Sequence, residues 1–180
     1  MAGYNLWYFE SITRMGYDQG FFFGNGWATP LVEGLPGVLF SPSRGILIYS
    51  PVFIFAFWGA YLVWRSSNCV LLRYLTVSVI LTVLVYSKWK MWWGGWAFGP
   101  RLLADITPLL ILLMLPAYVK VRDQPFLKKV FFLLAGIFVL IHALGAYSPA
   151  VWNPEIGGRL WSWSDGELIN SGRRLLAKTF

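Results

Sequence analysis

Four stretches of this chain are apolar for long enough to cross a bilayer, and its polar positions collect between them. Gly45 to Trp64 has no charged residue. Val70 to Ser87 carries only Arg73, close to its start. Leu102 to Val119 holds Asp105, Pro108 and Pro116, and Val130 to Tyr147 holds only His142. Each stretch approaches the ~20 residues that a helix needs to cross a hydrocarbon core of ~30 Å. Tyr49, Trp64, Tyr86, Tyr118 and Tyr147 stand at or near their ends, as aromatic side chains do at headgroup depth. The pattern predicts an all-α membrane protein of about four transmembrane helices, with spans near 45–64, 70–87, 102–119 and 130–147. An aromatic outer segment (1–44) precedes them and an outer tail (148–180) follows. The bundle is expected to be part of a larger one.

Composition agrees. The chain is 57% hydrophobic and only 13% charged, where soluble domains carry about 25% charged residues. The net charge of +7 would raise nucleic acid as a partner in a soluble protein. Here the cations flank spans and meet lipid headgroups, and no nucleic-acid-binding motif is present. The single cysteine, Cys69, excludes an internal disulfide and a multi-cysteine metal site. No metal or cofactor is expected, and no phosphate loop, dinucleotide fingerprint or nucleophile elbow occurs.

Charge sets the expected orientation. Arg65 and Arg73 lie around the first short loop, and Lys120, Arg122, Lys128 and Lys129 around the third. Such basic loops are cytoplasmic as a rule. The segment from Lys88 to Arg101 and both termini then face outward. That segment, Lys-Trp-Lys-Met-Trp-Trp-Gly-Gly-Trp-Ala-Phe-Gly-Pro-Arg, is a poor spanning helix and a good interfacial loop. Its cations oppose the usual charge bias, which favours a functional reading of them. An outward N-terminal stretch of this length with no secretory signal suggests the C-terminal part of a longer polytopic protein.

An ordered set of motifs carries a resemblance. Thr29-Pro-Leu-Val-Glu-Gly34, Gly37-Val-Leu-Phe-Ser-Pro-Ser-Arg-Gly45, Tyr49-Ser-Pro51 and Trp92-Trp-Gly-Gly-Trp-Ala-Phe-Gly-Pro-Arg-Leu-Leu-Ala-Asp105-Ile-Thr-Pro108 resemble the C-terminal half of bacterial GT-C-type membrane glycosyltransferase-like proteins. These are relatives of the protein mannosyltransferases and aminoarabinose transferases. Tyr4-Asn5 and Arg159-Leu-Trp-Ser-Trp-Ser-Asp165 look similar to the same group. The resemblance implies transfer of a sugar from a polyprenyl-phosphate donor on the outer side of the membrane. The family's catalytic acid lies in an earlier outer loop with no counterpart here, so the catalytic residue is unknown. A missing N-terminal half or a partner subunit is expected to supply it.

The candidate site residues follow. Arg101, Lys88, Lys90 and Arg44 are expected to bind a lipid-linked phosphate, since guanidinium matches phosphate bidentately. The plainer alternatives are snorkelling, headgroup anchoring and, for Arg101, a pair with Asp105 four residues on. Trp92, Trp93 and Trp96 are candidates for sugar or lipid contact, or simple belt residues. Asp105 and His142 are expected to approach each other as a structural polar pair, because a carboxylate at that depth is costly alone. The expected function is the donor-lipid-facing portion of a GT-C-like glycosyltransferase in a bacterial inner membrane, inactive alone. The alternative is a non-catalytic multi-spanning module for lipid binding or assembly. A transporter part is weaker, since its spans should carry more polar residues.

Overall fold

A computed structural model describes residues 7, 26–65, 69–147 and 159–179. The remainder of the expected outer segment (1–44) and of the tail (148–180) lies outside the described residues. Among the described residues the chain is helical and contains no strand. The helices are α1 (Leu31–Phe40), α2 (Ile46–Tyr49), α3 (Ile54–Arg65), α4 (Val70–Lys88), α5 (Thr107–Val121), α6 (Pro125–Tyr147) and α7 (Glu167–Thr179). Short 3-10 turns occupy Pro51–Phe53, Arg101–Ile106 and Arg159–Trp161.

Three helices are long and apolar enough to cross a membrane: Val70–Lys88, Arg101–Val121 with its 3-10 entry, and Pro125–Tyr147. The stretch expected to be the first span differs. It breaks at Ser50, whose backbone sits at φ −137°, ψ 63°, into α2, a 3-10 turn and α3. Proline explains the break. Pro51 has no N–H to donate back to Leu47, and its ring disfavours helical backbone at Ser50. The apolar helix that follows, Pro51–Arg65, falls short of the length of the other three. At Thr107–Pro108 the opposite happens. Proline in the first turn of a helix is preorganised, and α5 begins there.

The core forms where α3 packs on α5 and α1 packs on α4. Phe55 and Ala56 share a buried cluster with Leu110, Leu113 and Ala117. Two glycines set these distances. A Cβ at Gly59 would run into the Leu113 carbonyl oxygen, and one at Gly34 into the Ser87 carbonyl oxygen. Small residues let apolar helices approach to backbone contact, which is how such helices gain dispersion energy without water to drive them together. In α4 the hydroxyls of Thr76, Thr82 and Ser87 donate to the carbonyls of Leu72, Ser78 and Val83, so none of them needs water. α6 lies outermost, with Gly145 its one buried residue.

The alternation of helices puts two groups of segments at opposite ends of the bundle. Arg65, Arg73 and the α5–α6 turn share one end, where Arg65 sits over the Tyr61 ring and Arg73 over Trp64. At the other end the Trp/Gly loop (89–100), the turn Ser41–Gly45 and the C-terminal segment 159–171 are tied together. Thr29 N–H donates to the Lys88 carbonyl, Lys90 N–H to the Gly26 carbonyl, and Ser43 Oγ to the Arg159 carbonyl.

Candidate functional site

The Trp/Gly loop owes its shape to positive-φ glycines. Gly94 and Gly95 sit at φ 76° and 74°, a region that a side chain disfavours. Gly99, at φ 69°, also lies against the Tyr49 ring, where an added Cβ would meet a ring carbon at 3.0 Å. Folded this way, the loop leaves a cleft of about 750 Å³ against the end of α4. Trp27, Tyr86, Trp89 and Trp96 give it aromatic walls, and Met91 and Leu102 add apolar surface. Trp27 and Trp89 meet edge to face, with centroids 4.8 Å apart. Arg101 is the one charged residue among those lining it.

Arg101 also lines a second cavity of about 460 Å³ on its other side, with Phe53, Phe98, Phe138 and His142. Among the described residues no carboxylate pairs with the Arg101 side chain. Asp105, one turn further on, instead accepts from the Tyr86 hydroxyl at 3.3 Å. Arg101 is exposed, and a solvent-accessible guanidinium beside aromatic and apolar walls suits an anion that carries an apolar group. The chemistry available here is binding and orientation, since none of the residues lining the cleft is a carboxylate or a histidine.

A second feature holds the cleft in place. Arg44 and Glu167 form an ion pair with both side chains 1% exposed. The same carboxylate oxygen of Glu167 accepts from the Tyr49 hydroxyl at 3.2 Å and from the Gly99 N–H at 3.0 Å. Arg44 also donates to the Ser43 carbonyl at 3.0 Å and to the Gly95 carbonyl at 3.2 Å. The pair thus joins the entry turn, α2, the cleft-lining loop and α7. Burial pushes the Glu167 carboxyl above its ordinary value, against the opposing pull of Arg44, the Gly99 amide and Tyr49. At the start of the same segment, Asp165, its side chain 42% exposed, is held below the usual carboxylate range, first by the Asn170 amide and then by Arg159 at 2.6 Å. A lowered folded value contributes stability above the ordinary carboxylate pKa that is lost as pH falls through the lowered value. Protection of the Asn170 amide, taken relative to its intrinsic exchange rate at each pH, is therefore expected to fall on acidification below the ordinary range of Asp165, and to stay flat in Asp165→Asn.

The expected site residues divide accordingly. Arg101 and Trp96 line the cleft together. Arg44 does not line the cleft: its guanidinium is buried and paired with Glu167. Trp92 is 2% exposed, packed on Gly37 and near Trp161, so it is a core residue and not a sugar contact. Trp93 is half-buried against the same core. Lys88 and Lys90 are exposed but do not line the cleft, and Lys90 borders a shallower hollow with Thr29 and Glu33. Asp105 and His142 do not form the expected pair. Asp105 takes Tyr86, while His142 Nδ1 lies 3.0 Å from the Phe138 carbonyl and its ring stacks near Phe138. A carboxylate at a helix end finds a nearby phenol at no conformational cost, and histidine satisfies itself within its own helix.

Sequence reasoning missed Glu167, Trp27, Trp89 and the site role of Tyr86. Trp27 and Trp89 are two tryptophans among eleven, and nothing in their spacing marks them. No family model, curated protein or solved structure matches the chain.

Proposed function

We propose that this chain is the C-terminal portion of a GT-C-like membrane glycosyltransferase that shapes a polyprenyl-phosphate-sugar site on the outer face of a bacterial inner membrane. The observation that supports it most is Arg101. It stands at the membrane boundary with no carboxylate partner among the described residues, between an aromatic cleft and an apolar cavity. A phosphate at Arg101 would have its sugar against Trp27, Trp89 and Trp96 and its prenyl chain toward Phe53 and Phe138. In this reading Ile46–Arg65 is the fourth crossing, broken at Ser50. The basic end near Arg65 faces the cytoplasm, and the loop and both termini face outward. Lys88 and Lys90 serve as headgroup anchors. The general base comes from an earlier part of the protein or from a partner subunit.

The test is sugar transfer from a labelled polyprenyl-phosphate donor by the complete gene product. Arg101→Ala is expected to cut transfer about tenfold or more, in line with the loss of a charge-assisted contact. Unchanged turnover removes Arg101 from the site. A second reading, a non-catalytic module that binds lipid or assembles with other subunits, is favoured by the lack of any carboxylate along the cleft. It predicts that Arg101→Ala loses lipid-phosphate binding while no preparation transfers sugar.

A further inference from the structure

α7 turns its polar anchors inward and its apolar stripe outward, the reverse of a helix docked on a core. Glu167 and Ser171 are buried, while Ile169 is 45% and Leu176 62% exposed. At 100° per residue Ile169, Gly172 and Leu176 fall on one side of the helix, and Arg173 falls at its edge. The sequence of α7 has three cations, Arg173, Arg174 and Lys178, against one acid, Glu167. Arg44 neutralises that acid in the interior. The outer surface of α7 is therefore apolar along one stripe and cationic beside it.

The position of the helix says what covers the stripe. Glu167 is bonded to Gly99 of the loop between two spanning helices, and α7 packs on α6, which is itself long and apolar enough to span. The helix thus starts at the membrane boundary. Exposed Trp161 and Trp163 precede it, residue types that settle at headgroup depth. We propose that α7 lies in the bilayer interface, its Ile169–Leu176 stripe set among acyl chains and Arg173 directed at anionic headgroups. The apolar stripe with a cationic edge is the pattern of interfacial helices, and the charge selects anionic over neutral lipid. Because Glu167 is bonded to the loop beside the cleft, membrane seating of α7 also steadies the cleft wall.

The experiment uses the full chain in nanodiscs, with Cys69→Ser removing its one cysteine. Leu176→Cys and, separately, Ala177→Cys, 100° further round the helix and off the stripe, are labelled with an environment-sensitive fluorophore. Shallow nitroxide lipids are the quencher. The probe at 176 is expected to be quenched several-fold more than the probe at 177. That difference should grow when phosphatidylcholine is part-replaced by phosphatidylglycerol. Arg173→Gln should lower the anionic preference roughly fivefold, the value of one surface cation near an anionic membrane. Equal quenching at both positions overturns the proposal. So does a probe at 176 that is shielded from lipid quencher yet buried in detergent as well, since a protein segment would then cover the stripe. Shielding that depends on protein concentration, the sign of a second copy, overturns it too. None of these readouts depends on sugar transfer or on Arg101.

Discussion

Glu167→Ala is expected to cost about 3–5 kcal/mol of stability, the usual result of removing one partner from a buried ion pair. The reason is what remains. Arg44 stays 1% exposed and loses the Glu167 carboxylate, and the Gly99 N–H and Tyr49 hydroxyl lose their acceptor. Glu167→Gln is expected to cost less, because a neutral side chain of the same shape still accepts from Arg44 and escapes the burial that raises the carboxyl's pKa. The double change Arg44→Met with Glu167→Leu is expected to recover part of the loss. It removes both charges, and buried pairs replaced by apolar residues of similar size are often neutral. Recovery stays partial, since Tyr49 and Gly99 are still left without the carboxylate. Thermal unfolding in detergent, followed by tryptophan fluorescence, separates the three. Equal stability of wild type and Glu167→Ala would show that the pair holds nothing in place.

Gly59→Val is expected to be the second most damaging change, at the upper end of the ~1–3 kcal/mol typical of overpacking or beyond it. The atom in the way is the Leu113 carbonyl oxygen. Backbone cannot swing aside as a side-chain tip can, so α3 and α5 must part. That separation strips contacts from Phe55, Ala56, Leu110 and Ala117 together. Gly136→Val on α6 is the control, because a Cβ there meets nothing within 4 Å. Measured side by side, Gly59→Val should unfold at clearly lower temperature and Gly136→Val close to wild type. A similar loss in both would mean that the result reflects β-branching in a helix and not the crossing.

The helices were legible because a long apolar run records the membrane directly. α4 coincides with its expected span, and α6 ends where expected and starts five residues earlier, at Pro125, since proline is favoured in a first turn. The break at Ser50 was less legible. Tyr-Ser-Pro sits inside an uncharged stretch, and hydropathy counts a proline-broken segment and a continuous one alike. Which cation meets a ligand was not legible at all. Arg44 and Arg101 are both arginines next to a Gly or Pro at the same end of the bundle, and they differ in what folds onto them. Arg44 meets Glu167 from 123 residues away. One acid among eight, in a tail remote from the spans, gives no sign of such a partner. Trp92 and Trp96 make the same point. They are four residues apart in one loop, yet one packs on Gly37 and the other lines the cleft, and the difference comes from the glycine turn between them.

The most direct test of the account is polyprenyl-phosphate binding to the chain in nanodiscs, read by native mass spectrometry for wild type, Arg101→Ala and Lys90→Ala. The account predicts a loss of roughly ten- to hundredfold for Arg101→Ala, the worth of one charge-assisted contact, and little change for Lys90→Ala. Equal affinity in all three, or a larger loss at Lys90 than at Arg101, would contradict it.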